Sequence, residues 1–359
     1  MNNKRAITIG DRLICEDNPT YFIADIGANH DGDLDRAKSL IKLCAEAGAD
    51  AAKFQHFKAE TIVSDQGFKS LDEKFLSHQA GWKKSVFEVY QDASINLSWD
   101  NELKATCDRY GIDYMTTPYD AALVDHVDPL VPAYKIGSGD MTWIQHIQHI
   151  AAKGKPVLLA CGASTLDEIV RAVGSISGIT SQIAVLQCNT NYTGRSENLD
   201  YINLNVIHTL KSMFPDLCVG LSDHTAGHAT AVGAVALGCR IIEKHFTDDN
   251  DRRGPDHGFA MNPSSWKAMV DITRELERAL GSGIKKIEKN EENTVVIQRR
   301  SIRVNRVMQK GEVLSGDDVT MLRPCPTGAL EPWELDKYVG KTVARDIPEG
   351  DHLTGSDFE

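Results

Sequence analysis

No stretch of the 359-residue chain approaches the ~18 consecutive apolar residues of a membrane span, and the first eleven residues are polar, without the apolar core of a secretory signal. A cytoplasmic protein with no membrane partner is expected. Paired cysteines are lacking as well: the eight cysteines form no CxxC pair and keep no regular interval, and several sit inside apolar runs. That pattern favours free thiols over disulfides or a zinc cage. Positive charge is in deficit, with 39 Lys and Arg against 51 Asp and Glu and a net charge of −12, so the global field repels polyanions and no nucleic-acid partner is expected. With 42% hydrophobic and 25% charged residues the composition excludes a disordered or collagen-like chain.

What is present is a regular alternation. Eight short apolar runs, Tyr21–Gly27, Ala51–Phe57, Ile112–Pro118, Ala133–Gly139, Pro156–Gly162, Gln182–Asn189, Cys218–His224 and Arg240–Phe246, are separated by longer amphipathic stretches. Residues 33–47 are one such stretch: Leu34, Ala37, Leu40, Ile41 and Cys44 recur at helical spacing and Gly48 supplies a stop. Eight βα units predict an α/β chain closed into a (β/α)8 TIM barrel. The longest insertion, residues 58–96, carries Phe68, Phe75, Trp82, Phe87 and Tyr90; it reads either as a lid over the active face or as an extra helical layer. A barrel domain over 1–283, a linker over 284–294 and a small β-rich domain over 295–359 are expected, the last near the lower size limit for independent stability. Its expected strands are 301–307, 311–314, 321–323, 339–344 and 346–353, with a turn of helix near 331–337.

Barrels of this kind place reactive groups at the C-terminal ends of strands. Those ends carry Asp25, Lys53, Gln55, Lys135, Ser138, Ser222, His224, Glu243, Lys244 and His245, polar residues where strands buried on both faces should be aliphatic. His224 and His245, on neighbouring strand ends, could converge on one divalent ion, or each could be a hydrogen-bonded core histidine. Lys53 and Lys135, with Ser138 in the Gly137-Ser138-Gly139 turn, could cradle a phosphate or carboxylate, or each lysine could neutralise a neighbouring acid. Asp25 is the natural candidate for proton transfer. Asp256 and His257, in Gly254-Pro255-Asp256-His257-Gly258, sit on a loop that could fold over the opening.

The segments 23–30 (IADIGANH), 53–55 (KFQ), 135–140 (KIGSGD), 220–225 (GLSDHT), 243–246 (EKHF) and 254–257 (GPDH), in this order, resemble the sialic acid (nonulosonate) synthase family. The residues from Arg300 onward are similar to that family's antifreeze-like (SAF) domain, with Lys310-Gly311-Glu312 and Leu322-Arg323-Pro324 as its marks. The resemblance implies condensation of phosphoenolpyruvate with an open-chain N-acyl amino sugar, giving a nine-carbon 2-keto acid and phosphate. It implies His224 and His245 as ligands of a divalent cation, Mn2+ or Mg2+. It makes Lys53, Lys135, Ser138 and Ser222 contacts to phosphoenolpyruvate, and Gln55, Tyr192 and Asp256 contacts to the sugar. Thr190 stands where a substrate-contacting Asn is common. Asp25 takes the place of an acid/base carboxylate, Glu243 that of a polar partner, and Arg323 that of an arginine given to the partner's sugar site in a domain-swapped homodimer.

The chain departs from the family at several of these surfaces. Asp25 and Asp140 replace Glu, Ala160-Cys161-Gly162-Ala163 replaces Ser-Thr-Gly-Met, and Tyr192-Thr193 replaces Tyr-Pro. Two other readings stand beside the synthase. One is a Schiff-base pyruvate aldolase using Lys53, Lys135 or Lys244. The other is an inactive barrel carrying a carbohydrate-binding module.

Overall fold

A computed structural model of the chain describes residues 5–72, 79 and 82–359. Two compact units are present, Met1–Gly281 and Ser282–Glu359. The boundary thus falls two residues before the expected end of the barrel domain. The stretch expected as a linker groups with the second unit and contains a short helix, Glu292–Gln298.

The first unit opens with a hairpin that the sequence reading did not anticipate, β1 (Ile7–Ile9) and β2 (Arg12–Ile14). All eight expected runs are strands: β3 (Tyr21–Asp25), β4 (Ala51–His56), β5 (Asp113–Pro118), β6 (Tyr134–Ile136), β7 (Val157–Ala160), β8 (Ile183–Cys188), β9 (Cys218–Asp223) and β10 (Ile241–His245). They pair in parallel in chain order and close, β10 bonding to β3, into a (β/α)8 barrel.

Alternation along each strand sorts the side chains into two cores. One row faces the helices: Phe22, Ala24, Ala52, Phe54, Tyr114, Leu159, Val185 and Ile242 pack there with the helices' apolar faces. The helix Leu34–Glu46 shows why this sequence folds as it does. Asp33 caps it by accepting from the Arg36 N–H at 3.0 Å, Ala37, Leu40, Ile41 and Cys44 turn inward, and Gly48 follows at φ +96°. The other row fills the barrel with Ile23, Ala51, Met115, Leu158, Leu186 and Ile241. Ile7, Ile9 and Ile14 of the hairpin join this inner cluster. The hairpin is fastened where strands begin: Thr8 N–H donates to Gln182 at 2.8 Å, and Arg12 pairs with Asp50 and donates to the Gly111 carbonyl at 3.1 Å.

Between β4 and β5 the insertion forms short helices, Ala59–Ile62, Asp65–Lys69 and Val86–Ala93. Phe75 lies outside the described residues. No helix among those described is long and apolar enough to cross a membrane, and all eight cysteines are free.

The second unit has its own core of Ile302, Val304, Met308, Leu314, Leu330, Val343, Ile347 and Leu353. Its sheet is smaller than the sequence pattern suggested: β11 (Ser301–Val304) pairs antiparallel with β12 (Val319–Leu322), and the other expected strands make single bridges, Met308 with Ile347, Val313 with Thr342 and Arg303 with His352. Turns dominate because Gly311, Gly316, Pro324, Gly328, Gly340 and Pro348 recur between the short apolar segments and interrupt strand pairing. The expected helical turn is a 3-10 segment, Pro332–Lys337.

Candidate active site

Above the aliphatic inner core the barrel changes character. Register explains the change: His245 on β10 is the cross-strand partner of Asp25 on β3, which is the partner of Lys53 on β4, while Glu243 pairs with Ser222 on β9. Inward-facing positions on neighbouring strands therefore meet at one depth. Lys53 Nζ lies 2.7 Å from Asp25 Oδ2 and 4.0 Å from Glu243, and Lys135 Nζ lies 3.1 Å from the other oxygen of Glu243. Ser222 donates to Glu243 at 3.0 Å, and Gln55 donates to Asp25 at 3.1 Å. All four charged residues are buried.

In this space Asp25, Glu243 and Lys53 are each kept in the charged form by neighbours of opposite sign. Burial pushes the Asp25 carboxyl upward, but Lys53 and His245 outweigh it and leave it below its ordinary value. Glu243 behaves alike: burial raises it, and Lys135 and Lys53 bring it below the usual range. For Lys53 burial works downward, while Asp25 and Glu243 raise the amine above its ordinary value. Lys53 is therefore an ammonium, the wrong form for an attacking Schiff-base amine. Lys244 faces out of the barrel, buried against Asp223 and donating to the Thr225 carbonyl at 2.7 Å. Both observations disfavour the aldolase reading.

The histidines stand at the rim of this layer, their ring centres 5.5 Å apart. His224 Nδ1 is 2.8 Å from the Asn189 carbonyl, which fixes the proton there in a neutral ring and leaves Nε2 with its lone pair. His245 Nε2 is 3.5 Å from Asp25, and its buried Nδ1 has no hydrogen-bond partner. Tyr192 sits edge-on to His224 at 4.4 Å, and Asp256 Oδ2 comes within 3.8 Å of His245 Nδ1 and 3.3 Å of the Ala28 N–H. On the other side of the mouth Ser138 Oγ accepts from Gly162 N–H at 3.0 Å, and a Cβ on Gly162 would come 3.0 Å from Thr190. Gly162 thus lets Ser138 and Thr190 approach the same stretch of backbone. Arg323 belongs to the second unit, where its side chain is exposed.

The aromatic wall was anticipated in part, through Trp82 and Tyr90 of the possible lid and Tyr192, while Phe57 and Phe259 were missed. Phe259 packs on His245 at 4.9 Å and on Tyr192 at 5.6 Å, and Phe57, Tyr90 and Tyr119 line a space of about 150 Å3 reaching His245 and Gln55. A larger chamber of about 620 Å3 adjoins it and shares Ala28, Trp82, Val89, Ala93 and Pro255 with it. Tyr90 and Trp82 come from the 58–96 insertion, so that insertion does contribute to the mouth. Three charged or basic residues of the layer also keep a buried atom with no hydrogen-bond partner: Asp25 Oδ1, Glu243 Oε2 and His245 Nδ1. Such atoms are uncommon in folded proteins, and three of them at one mouth mark a place built for a ligand.

A parallel barrel with a charged layer and two histidines at its C-terminal rim is the arrangement of a barrel enzyme, and the comparisons state which kind. The NeuB family model matches residues 40–285 and the SAF domain model residues 299–359; the chain belongs to the NeuB family and carries a C-terminal SAF domain. Among its relatives is the N,N'-diacetyllegionaminic acid synthase of Campylobacter jejuni, 33% identical over 92% of this chain and 97% of that one. The human N-acetylneuraminate-9-phosphate synthase is 31% identical over 95% and 93%. In structure the chain is similar to the N-acetylneuraminic acid (sialic acid) synthetase of Leptospira borgpetersenii, with a TM-score of 0.71 and 29% identity over 81% of this chain and 95% of that one.

Proposed function

We propose that the protein is a nonulosonate synthase: it condenses phosphoenolpyruvate with the open-chain form of an N-acyl amino sugar, consuming water and releasing phosphate. The observation that carries this reading is the two-cation, two-anion layer beneath a two-histidine rim, with unpartnered atoms of Asp25, Glu243 and His245 facing the same mouth.

Lys53 and Lys135 receive the anionic enol phosphate, exchanging part of their contact with Glu243 and Asp25 for contact with phosphate and carboxylate oxygens. Ser138 and Ser222 add hydroxyl donors, and Thr190 stands beside Ser138. The acceptor sugar lies above, against Gln55, Tyr192 and Asp256. His224 and His245 fit a divalent cation, Mn2+ or Mg2+, since each offers an imidazole nitrogen that no protein group occupies. Among the described residues no cluster of three or more ligating side chains exists, so water and substrate would complete the shell. Such an ion, when bound, supplies Lewis-acid polarisation of the aldehyde oxygen.

Carbon 3 of the enol forms the new bond to the aldehyde carbon, water adds at carbon 2, and the tetrahedral intermediate expels phosphate as the carbonyl forms. Asp25, held ionised by Lys53, accepts the proton that the water gives up and returns it to the alkoxide that the aldehyde oxygen becomes, and Glu243 keeps Lys135 and Ser222 oriented as charge builds on the leaving phosphate. Arg323 is assigned to the acceptor site of a partner subunit in a domain-swapped homodimer, and the protein to the cytoplasm. Phosphate release from phosphoenolpyruvate across a panel of aldehyde-capable N-acyl amino sugars, with and without Mn2+, tests the reading. Sugar-dependent release supports it; pyruvate adducts trapped by borohydride without phosphate release would reject it in favour of the aldolase.

A further inference from the structure

The loop after β10, residues 248–258, is composed of Asp, Asn, Arg, Gly, Pro and one His. A segment so poor in apolar side chains has little to offset the entropy of being ordered. Its one fully buried side chain is His257. The ring is held at both nitrogens: Nδ1 lies 2.7 Å from Thr247 Oγ1 and Nε2 lies 3.0 Å from Asp31 Oδ1. A carboxylate only accepts, so Asp31 places the proton on Nε2, and in the neutral ring Nδ1 accepts from the Thr247 hydroxyl.

The backbone around this ring is shaped to it. The His257 carbonyl accepts from Asn250 Nδ2 at 2.9 Å, and the same amide donates to the Ala260 carbonyl at 2.7 Å. Gly254 lies so close that a Cβ there would come 2.6 Å from His257 Cδ2. At the other end, Asp31 sits in the loop after β3 at φ +52° and also meets Arg36 at 3.0 Å. Because β10 and β3 are neighbours in the barrel, His257 pins together the two loops that flank one side of the mouth. The residue before it is Asp256, whose carboxylate turns instead toward Ala28 N–H and His245.

We infer that His257 is a positioning residue for the acceptor: through Thr247 and Asp31 it sets where the Asp256 carboxylate stands over the mouth. The inference rests on the reading of that mouth as the acceptor sugar's site. Asp25, Lys53 and Glu243 are fixed by strands, so loosening the loop leaves them in place. Asp256 has no such support, and a shift of the order of 1 Å is enough to spoil a hydrogen bond to a sugar hydroxyl.

The test uses both ends of the contact on the full chain. His257→Asn keeps an amide able to meet Thr247 and gives up the arm to Asp31. Asp31→Gly removes the other end, and its φ suits glycine; Asp31→Asn keeps an acceptor. His257→Asn and Asp31→Gly each raise the acceptor KM about tenfold, leaving kcat, the phosphoenolpyruvate KM and the melting midpoint close to wild type. Asp31→Asn stays near wild type. In acceptor KM the double variant His257→Asn/Asp31→Gly is no worse than Asp31→Gly alone, because both substitutions cut the same His257–Asp31 contact and Asp31→Gly already gives up the Arg36 ion pair. Additive effects, a matching fall in kcat, or an unchanged acceptor KM would overturn the inference. Amide hydrogen exchange over residues 248–258 reads the same contact without turnover: protection must fall in both single variants, and unchanged protection also overturns it. Absence of phosphoenolpyruvate-dependent turnover in the wild type would instead count against the functional reading.

Discussion

Replacing Lys135 by methionine keeps the bulk of the side chain and removes one of the two cations in the buried layer. Glu243 then loses its partner at 3.1 Å, and the one cation left against it among the described residues is Lys53, 4.0 Å away and already engaged by Asp25, beside the Ser222 hydroxyl. The Lys135 and Glu243 side chains are 4% and 5% exposed, so water does not take over the lost contact. Breaking such a pair from one side costs about 3–5 kcal/mol, because a charge is left buried without compensation. For a unit of this size the melting entropy is on the order of 0.6 kcal/mol/K, which makes the expected drop in melting midpoint about 5–8 °C. In Lys135→Met/Glu243→Gln both charges are gone and Lys53 keeps Asp25; the drop should shrink to about 1–3 °C. Phosphate release should nevertheless fall by at least about 100-fold in both variants, since Lys135 is missing from the anion's cradle in each. The assays are thermal melting by calorimetry and phosphate release with saturating sugar. A double variant that melts no higher than Lys135→Met would mean that Lys135 and Glu243 are not coupled, and the account of the charged layer would fail.

Burial pushes the half-buried Asp140 carboxyl up to about 6, so the folded form binds a proton that the unfolded chain has lost. Its contribution to stability is full below pH 4 and disappears as pH rises through 6, a change of about 1–3 kcal/mol that Asp140→Asn should abolish; denaturant melts at pH 4.5 and 7.5 with parallel changes in both proteins would refute this. A Cβ on Gly220 would come 2.6 Å from the Ile241 carbonyl oxygen and collide with Leu186, so Gly220→Ala should cost about 3 kcal/mol or more, seen as loss of soluble folded protein, and a wild-type melt would contradict the packing described. Chelator should abolish turnover and Mn2+ restore it in the wild type, whereas His224→Ala should fold, fail to recover, and show no Mn2+ binding by calorimetry; recovery of His224→Ala would remove the two-histidine site.

The barrel was legible because its strands are buried on both faces and read as apolar runs between amphipathic stretches. The charged layer was legible for a related reason: an inward Lys53, Lys135 or Glu243 contradicts the aliphatic surroundings that its strand implies. Lys244 shows the limit of that reasoning, since one residue along β10 reverses the direction of the side chain and turns a candidate lysine outward. Phe259 was hidden because it lies on a loop without a period, where sequence does not tell which way a ring turns, whereas Tyr90 was legible only as part of an insertion that could be a lid or a packed layer. The hairpin at the chain's start was missed because strands of three residues carry too little alternation to register. The contact from His257 to Asp31 joins residues 226 positions apart, and no local pattern announces it.

With Ile7, Ile9 and Ile14 stoppered into its lower end, the barrel is a well rather than a tunnel. A well has a loading order. On the proposed reading the three-carbon substrate would sit at the bottom beside Lys53 and Lys135, and a sugar resting on Gln55 and Tyr192 would roof it over, so productive turnover should begin with the phosphorylated partner. Excess sugar arriving early would then act as a lid on an empty chamber, and slow the enzyme in competition with phosphoenolpyruvate.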